Sequence, residues 1–437
     1  MSVDKNSNVN EYLDRVCSYI KYKEAHAEIK EELISHIEEI EEEYLDNDIS
    51  EDKALIKAIE RMGDAEEVGK QLNLAHKGTP DLITLILTLV LVNIGVVLMY
   101  FMENSGLLRS TEYMFNNSIK YALAGTASVI LLYYFDYRKL EKYSNYMFIG
   151  FFMLCVFLMS IGTTMHGQVV IYIGDYPFNF IDVSPYVFII ALAGIFNNWD
   201  WSRKINLIKA FAYLICPMII MFLGVSLTSC GIYFVAFIVL AVKSGLNKKY
   251  AFLLIGFNIM IFVMCIFTEP YRIKRFFAFL HPLSDPRGNT YTNSLIYNII
   301  HSSGMFGHGK AFLEYSFPGI HSEYIFNYIV YTFGWIGAAV LITLIIAFIM
   351  RILHITNKIH DGYGKLLISG LVSIFIVQYL LNILINVNLA PTVSVTLPFI
   401  SYGGAMCLFN MISVGIILSV YRRRSLSVNN NKSAIKN

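Results

Sequence analysis

The run "HSEYIFNYIVYTFGWIGAAVLITLIIAFIM", residues 321–350, decides the fold. Its first three residues are polar and end in a carboxylate, Glu323; from Tyr324 to Met350 there is no Asp, Glu, Lys or Arg. A hydrocarbon crossing takes about 20 such residues, so the run predicts a membrane helix with His321, Ser322 and Glu323 at its mouth. Outward from it, similar runs lie near 81–101, 118–136, 145–162, 179–197, 206–224, 226–243, 250–268, 364–387 and 397–421. Composition agrees: 56% of the 437 residues are hydrophobic and 15% charged, where a soluble chain carries about a quarter charged. The expected fold is all-α. It is a polytopic membrane protein of about ten transmembrane helices over 79–424, preceded by a small soluble helical bundle over 1–78 and followed by a polar tail, 425–437.

An even number of crossings puts both termini on one side. The loops near 137–144, 198–205, 243–249 and 351–365 are basic, as is the tail at Arg422, Arg423 and Arg424, whereas 163–178 and 388–396 carry no Lys or Arg. Positive charge stays on the cytoplasmic side, so both termini are expected there. The long loop 269–322, with Arg272, Lys274, Arg275, Arg287 and Lys310, falls outside. A loop of that length in a compact protein is usually functional.

Charge is also divided along the chain. Residues 1–80 hold 20 acidic and 10 basic side chains, so the net positive balance sits in the membrane part. In the head, Val9, Tyr12, Leu13, Val16 and Ile20 share one helical face, as do Ile29, Leu33, Ile37, Ile40 and Tyr44. Ser50 can cap a third helix that Gly63 stops, and "DAEE" at 64–67 reads as a capping box for a fourth. The acidic run "EEIEEEYLD" is a solvated face rather than a metal site. The head resembles the short acidic helical prefix domains found ahead of various bacterial membrane proteins, and a cytoplasmic protein is its expected partner. Six scattered cysteines form no C-x-x-C or His/Cys cluster, so neither disulfides nor zinc is expected. No cofactor and no nucleic-acid partner is expected.

Four further stretches carry a resemblance: "YRIKRFFAFLHPLSDPRGNTYTNSLIYNIIHSSGMFGHG" (271–309), "PGIHSEYIFNYIVYTFGWIGA" (318–338), "QYLLN" (378–382) and "LPFISYGGAMCLFNMISVGIILSV" (397–420). In this order they resemble the bacterial shape, elongation, division and sporulation family, FtsW, RodA and SpoVE, whose signature on the last helix is Leu-Pro-Phe-x-Ser-Tyr-Gly-Gly. The resemblance implies a peptidoglycan glycosyltransferase of the bacterial cytoplasmic membrane. Such an enzyme polymerises a lipid-linked disaccharide beside a class B penicillin-binding transpeptidase.

That chemistry needs a base for the acceptor hydroxyl, cations for a departing pyrophosphate, and apolar walls for a prenyl tail. The resemblance implies Glu323 as base, with Arg272, Arg275 and Lys310 as anion clamps. His321, Gln378, Asn382 and Ser401 complete the substrate-binding set. Each also has a plainer reading. Glu323 behind Ser322 is a favourable helix start, the arginines could bind lipid headgroups, and Gln378 and Asn382 could be packing bonds inside the bundle. Gly403 and Gly404 read as a close helix–helix approach.

The chain departs from the family pattern at several points. Glu323 replaces an Asp, and Tyr331 and Thr332 stand at acidic positions. "DVSPYVF" (182–188) lacks the Glu and Lys of Gln-Pro-Ser-Glu with its following Lys. "SLTSCG" (226–231) is a loose Asp-Leu-Gly-Thr, and Ser394 and Thr396 replace Gly and Pro. Two alternatives follow: a precursor-binding or transpeptidase scaffold without catalysis, and a lipid-linked sugar flippase. Few ionisable residues lie mid-span, which argues against an ion-coupled transporter.

Overall fold

The computed structural model describes residues 6–20, 26–47, 49–75, 80–104, 113–165, 168–174, 176–267, 270–286, 288, 290–309 and 317–424. Two compact units emerge, Met1–Pro80 with Tyr421–Asn437, and Asp81–Val420. In the first, α1 (Ser7–Ser18), α2 (His26–Leu45), α3 (Glu51–Met62) and α4 (Ala65–Ala75) close on Val9, Leu13, Val16, Ile29, Leu33 and Ile37. Each helix contributes one apolar stripe, so none could bury it alone. Asn6 caps α1, its side chain accepting from the Asn8 amide at 3.0 Å. Ser50 sits at the N-cap of α3 without a side-chain cap bond. At α4 the Asp64 carboxylate accepts from Glu66 N at 3.2 Å.

The second unit is a helical bundle. Its long helices are α5 (Leu82–Asn104), α6 (Met114–Tyr134), α8 (Ser144–Ile161), α9 (Phe180–Asn197), α10 (Lys204–Leu223), α11 (Leu227–Lys243), α12 (Lys248–Phe267), α15 (Ile325–Asn357), α16 (Gly362–Asn386) and α17 (Gly404–Arg422). Between them lie the short helices α7 (Arg138–Lys142), α13 (Pro270–Leu280) and α14 (Tyr291–Ser302). Every expected span is occupied by a helix, and among the described residues seven are long and apolar enough to cross a membrane. Residues 163–178, expected as a loop, contain three short antiparallel strands, Thr163–Met165, Gln168–Ile173 and Tyr176–Phe178, in sequential order. Their β-branched and aromatic residues suit a pleated surface.

Helix α9 is the axis of the bundle, packed against α8, α11 and α16, and buried along nearly its whole length. Small residues let the helices close: a Cβ on Gly370 of α16 would lie 2.5 Å from Ile189 Cγ2 of α9. Gly404 allows the same approach, because a Cβ there would strike the Tyr121 ring of α6. Gly403 has only Met406 Cβ at 4.0 Å, so it does not share that role. At the opposite end of α15 from Glu323, Arg351 donates two 3.1 Å hydrogen bonds from Nε to the buried Asp81 carboxylate ahead of α5.

Two expected spans depart from simple helices. The last was expected from Leu397 but begins only at Gly404; residues 397–403 are turns, with Phe399 at φ 66. Helix α15 is broken at Gly334 (φ 70, ψ −174), a conformation essentially reserved for glycine. The backbone groups freed by the break are met by the Gly-x-Gly segment. His308 N donates to Tyr331 O at 2.8 Å, Gly309 N to Thr332 O at 3.0 Å, and Trp335 N to Gly304 O at 3.2 Å. Broken backbone at membrane depth requires such partners. Gly307 is needed there, because a Cβ on it would lie 2.4 Å from Gly334 N.

Candidate functional site

Residues 317–324 form a tight turn ahead of α15. Phe317 stacks on Tyr324 with centroids 4.8 Å apart, and Gly319 (φ 76) reverses the chain so that its carbonyl accepts from Ser322 N and Tyr324 N. Three successive carbonyls of this turn are then held from outside. His321 O accepts from Tyr402 N at 2.8 Å. Ser322 O accepts from Ser401 Oγ at 2.6 Å. Glu323 O accepts from two amides on one face of α16, Asn382 Nδ2 at 2.8 Å and Asn386 Nδ2 at 3.0 Å. Asn386 is itself fixed, its Oδ1 accepting from Asn327 Nδ2 at 2.5 Å. Each held carbonyl fixes a further point of the turn's backbone, although Asn327 Oδ1 in the same network is buried without a partner among the described residues.

The half-buried Glu323 carboxylate is thereby aimed, and its side chain is lightly held. Oε1 accepts from Ser394 Oγ at 2.5 Å, while Oε2 has Ser322 Oγ at 3.4 Å. Burial depresses the His321 pKa, with Glu323 pulling the other way, so the ring is neutral near neutral pH. Its Nδ1 is buried without a hydrogen-bond partner among the described residues. Burial and the Glu323 charge push the Tyr324 phenol up to about 12, opposed by Arg275. That opposition puts Arg275 within electrostatic reach of the turn. Arg272 lies with its guanidinium 5.3 Å from the Phe222 ring at the end of α10.

The expected residues thus fall into different roles. Glu323, His321, Asn382 and Ser401 come together, but Asn382 and Ser401 hold backbone carbonyls of the turn, and Asn382 also bonds Val395 O at 2.7 Å. Gln378 is buried and its Oε1 accepts from Tyr186 of α9 at 2.8 Å, a bond between helices inside the bundle. The Tyr186 hydroxyl also meets Asn410 Oδ1 of α17 at 2.5 Å. Lys310 and Arg287 lie outside the described residues.

Asp182 was not among the expected site residues. It sits in the first turn of α9, its Oδ1 accepting from Ser226 at 3.0 Å and Ser229 at 3.1 Å and its Oδ2 from Asn179 at 2.8 Å. It is within electrostatic reach of Glu323. A carboxylate inside an apolar span was the signal for it. Among the described residues no group of three or more His, Cys, Asp or Glu is placed to hold a metal.

One carboxylate on a turn clamped by the Gln-x-x-x-Asn helix and the Leu-Pro-Phe-x-Ser-Tyr-Gly-Gly turn is the arrangement to compare with known proteins. Residues 81–426 match the family model FTSW_RODA_SPOVE, described as cell cycle protein. The chain belongs to the FtsW/RodA/SpoVE family. Among its relatives is stage V sporulation protein E of Bacillus subtilis strain 168, 26% identical over 362 residues, covering 79% of this chain and 98% of the relative. The probable peptidoglycan glycosyltransferase FtsW of Geobacter sp. strain M18 is 26% identical over 365 residues, covering 78% and 97%. A solved chain from a peptidoglycan synthase complex that coordinates polymerization and crosslinking superposes with a TM-score of 0.68 at 18% identity, over 79% of this chain and 98% of that one. The rod shape determining protein RodA of Thermus thermophilus gives 0.59 at 16%, over the same shares. The FtsW/RodA/SpoVE match begins at residue 81, so the helical head precedes it.

Proposed function

We propose that this chain is a multi-pass peptidoglycan glycosyltransferase of the bacterial inner membrane that polymerises a lipid-linked disaccharide, with Glu323 as general base. One observation carries the reading: a half-buried carboxylate whose own carbonyl is held by Asn382 of the Gln-x-x-x-Asn motif and by Asn386 one turn on, and whose preceding carbonyl is held by Ser401 of the last-helix signature. In the reaction, Glu323 takes the proton of the acceptor hydroxyl. That oxygen bonds to the anomeric carbon of the donor, and the carbon–oxygen bond to pyrophosphate breaks with its electron pair leaving on phosphate. Arg275 and Arg272 of α13, with Lys310, would neutralise that leaving charge. An apolar groove of about 680 Å³ between α5 and α15, walled by Val97, Phe101, Ile329, Phe333 and Leu341, suits the prenyl chain.

The termini are taken as cytoplasmic and Glu323 as facing outward, on the strength of the basic loops. The name of the synthase complex speaks for a crosslinking transpeptidase as partner. The acidic head is assigned a cytoplasmic protein partner. The scaffold alternative draws on one observation: Pro185 and Phe188 are buried in α9 at the stretch lacking the family's Glu and Lys.

The test is polymerisation of lipid-linked disaccharide by the purified chain together with a candidate transpeptidase. Glu323→Gln keeps the shape and removes basicity, so the rate should fall by roughly a hundredfold with precursor binding retained. An unchanged rate would remove Glu323 as base. Binding without polymerisation in the wild type would establish the scaffold.

A further inference from the structure

The geometry points to Ser394 and Gly319 as positioning residues that fit this site to a glutamate: the Ser394 hydroxyl fixes one carboxylate oxygen of Glu323, and the missing side chain of Gly319 leaves room for the other. The inference rests on Glu323 being the base.

A glutamate is one methylene longer than the aspartate the family resemblance implies, and about 1 Å of misplacement can cost a hundredfold in rate. The backbone cannot retreat to absorb that length. Its carbonyl is held by Asn382 and Asn386, and the carbonyls of the two preceding residues by Tyr402 N and Ser401 Oγ. The adjustment must therefore be made around the side chain, and two features there make it. Ser394 Oγ donates to Oε1 at 2.5 Å, a charge-assisted bond that selects among the rotamers of a flexible side chain. On the other side, a Cβ at Gly319 would lie 2.4 Å from Oε2. Any side chain there would push the carboxylate away, and φ 76 at this position already favours glycine. Among the described residues Oε2 has only the Ser322 hydroxyl, at 3.4 Å, so it is the oxygen that would receive the proton. The O–H bond of the acceptor breaks, an Oε2–H bond forms, and the released pair attacks the anomeric carbon.

Removing the Ser394 hydroxyl takes away the bond that fixes Oε1, so a threonine, which keeps the hydroxyl, should restore what an alanine loses.

The experiment measures the polymerisation rate of the full-length wild type, Ser394→Ala, Ser394→Thr, Glu323→Asp, the Glu323→Asp/Ser394→Ala double variant and Glu323→Gln. Ser394→Ala should lower the rate about tenfold, and Ser394→Thr should restore it. In the Glu323→Asp chain, whose shorter side chain does not reach Ser394, the Ser394→Ala change should have little further effect. Additive losses would overturn the coupling. A wild-type rate in Ser394→Ala, with Glu323→Gln inactive, would overturn the positioning role alone. Full activity of Glu323→Gln would remove the base and this inference with it. Gly319→Ala should cost more in the Glu323 chain than in the Glu323→Asp chain; equal costs would exclude Gly319. An infrared difference spectrum of the carboxylate bands that Glu323→Gln abolishes needs no turnover. Those bands should shift in frequency in Ser394→Ala as the hydroxyl bond to Oε1 is lost, and unmoved bands would overturn the proposal even in a chain that does not polymerise.

Discussion

Glu323 is anchored through its main chain far more than through its carboxylate. Asn382 and Ser401 donate to the carbonyls of residues 322, 323 and 395, and for Asn382 this is the packing bond that the sequence offered beside a substrate contact. Gln378, one turn from Asn382, bonds a different helix altogether. Which way a buried amide points is decided by the groups across the interface, and a single sequence does not show them. His321 gives a prediction at this scale. Its pKa lies below the ordinary 6.5 in the folded chain because burial penalises the charged ring. As pH falls, the unfolded chain therefore takes up the proton first, so stability is complete above that value and declines toward the folded pKa. Melting in detergent between about pH 7 and about pH 5 should show a larger drop for the wild type than for His321→Asn. Equal drops would place the titration elsewhere.

At the scale of elements, apolar runs of membrane length located every long helix of the bundle to within a few residues at most ends. The exceptions were places where a distant segment changes the local outcome. Residues 397–403 look like the start of a helix, but they turn because Leu397 N and the 321–322 carbonyls bind Ser401 and Tyr402. The break in α15 depends in the same way on residues 304–309, some thirty positions earlier. Gly334 to Ala should therefore be costly, since it places a side chain at φ 70 and ψ −174 and drives it against Met305 O. Strain of that kind costs about 1–3 kcal/mol. Thermal unfolding of the purified protein should show a clear loss for Gly334→Ala and a much smaller one for Gly256→Ala in the middle of α12, whose Cβ would meet nothing within 4 Å. Similar losses at both sites would mean that the break is not glycine-dependent.

For the whole molecule, the two compact units imply a division of labour. The head closes its own apolar core among four helices, so a chain lacking residues 1–76 should still insert in the membrane and polymerise in detergent at the wild-type rate. Loss of polymerisation with normal insertion would make the head part of the catalytic machine. Sidedness is checked by accessibility. A cysteine replacing His301, on the exposed face of α14, should react with an impermeant maleimide applied outside the cell, and one replacing Lys248 should not. The reverse pattern would invert the topology.

The interruption at Gly334 also has a mechanical meaning. As one rod, the thirty-three residues of α15 would measure about 50 Å, against about 30 Å of hydrocarbon. Bending and tilt travel along a helix through its continuous hydrogen-bond ladder, and here the ladder stops. The long section after residue 334 can lean to match the thickness of the surrounding lipid. The short section before it is tethered to α16 through Asn327 and Asn386 and keeps its own orientation. The joint would therefore act as a vibration mount, with changes in the bilayer taken up below it and the orientation of Glu323 above it preserved.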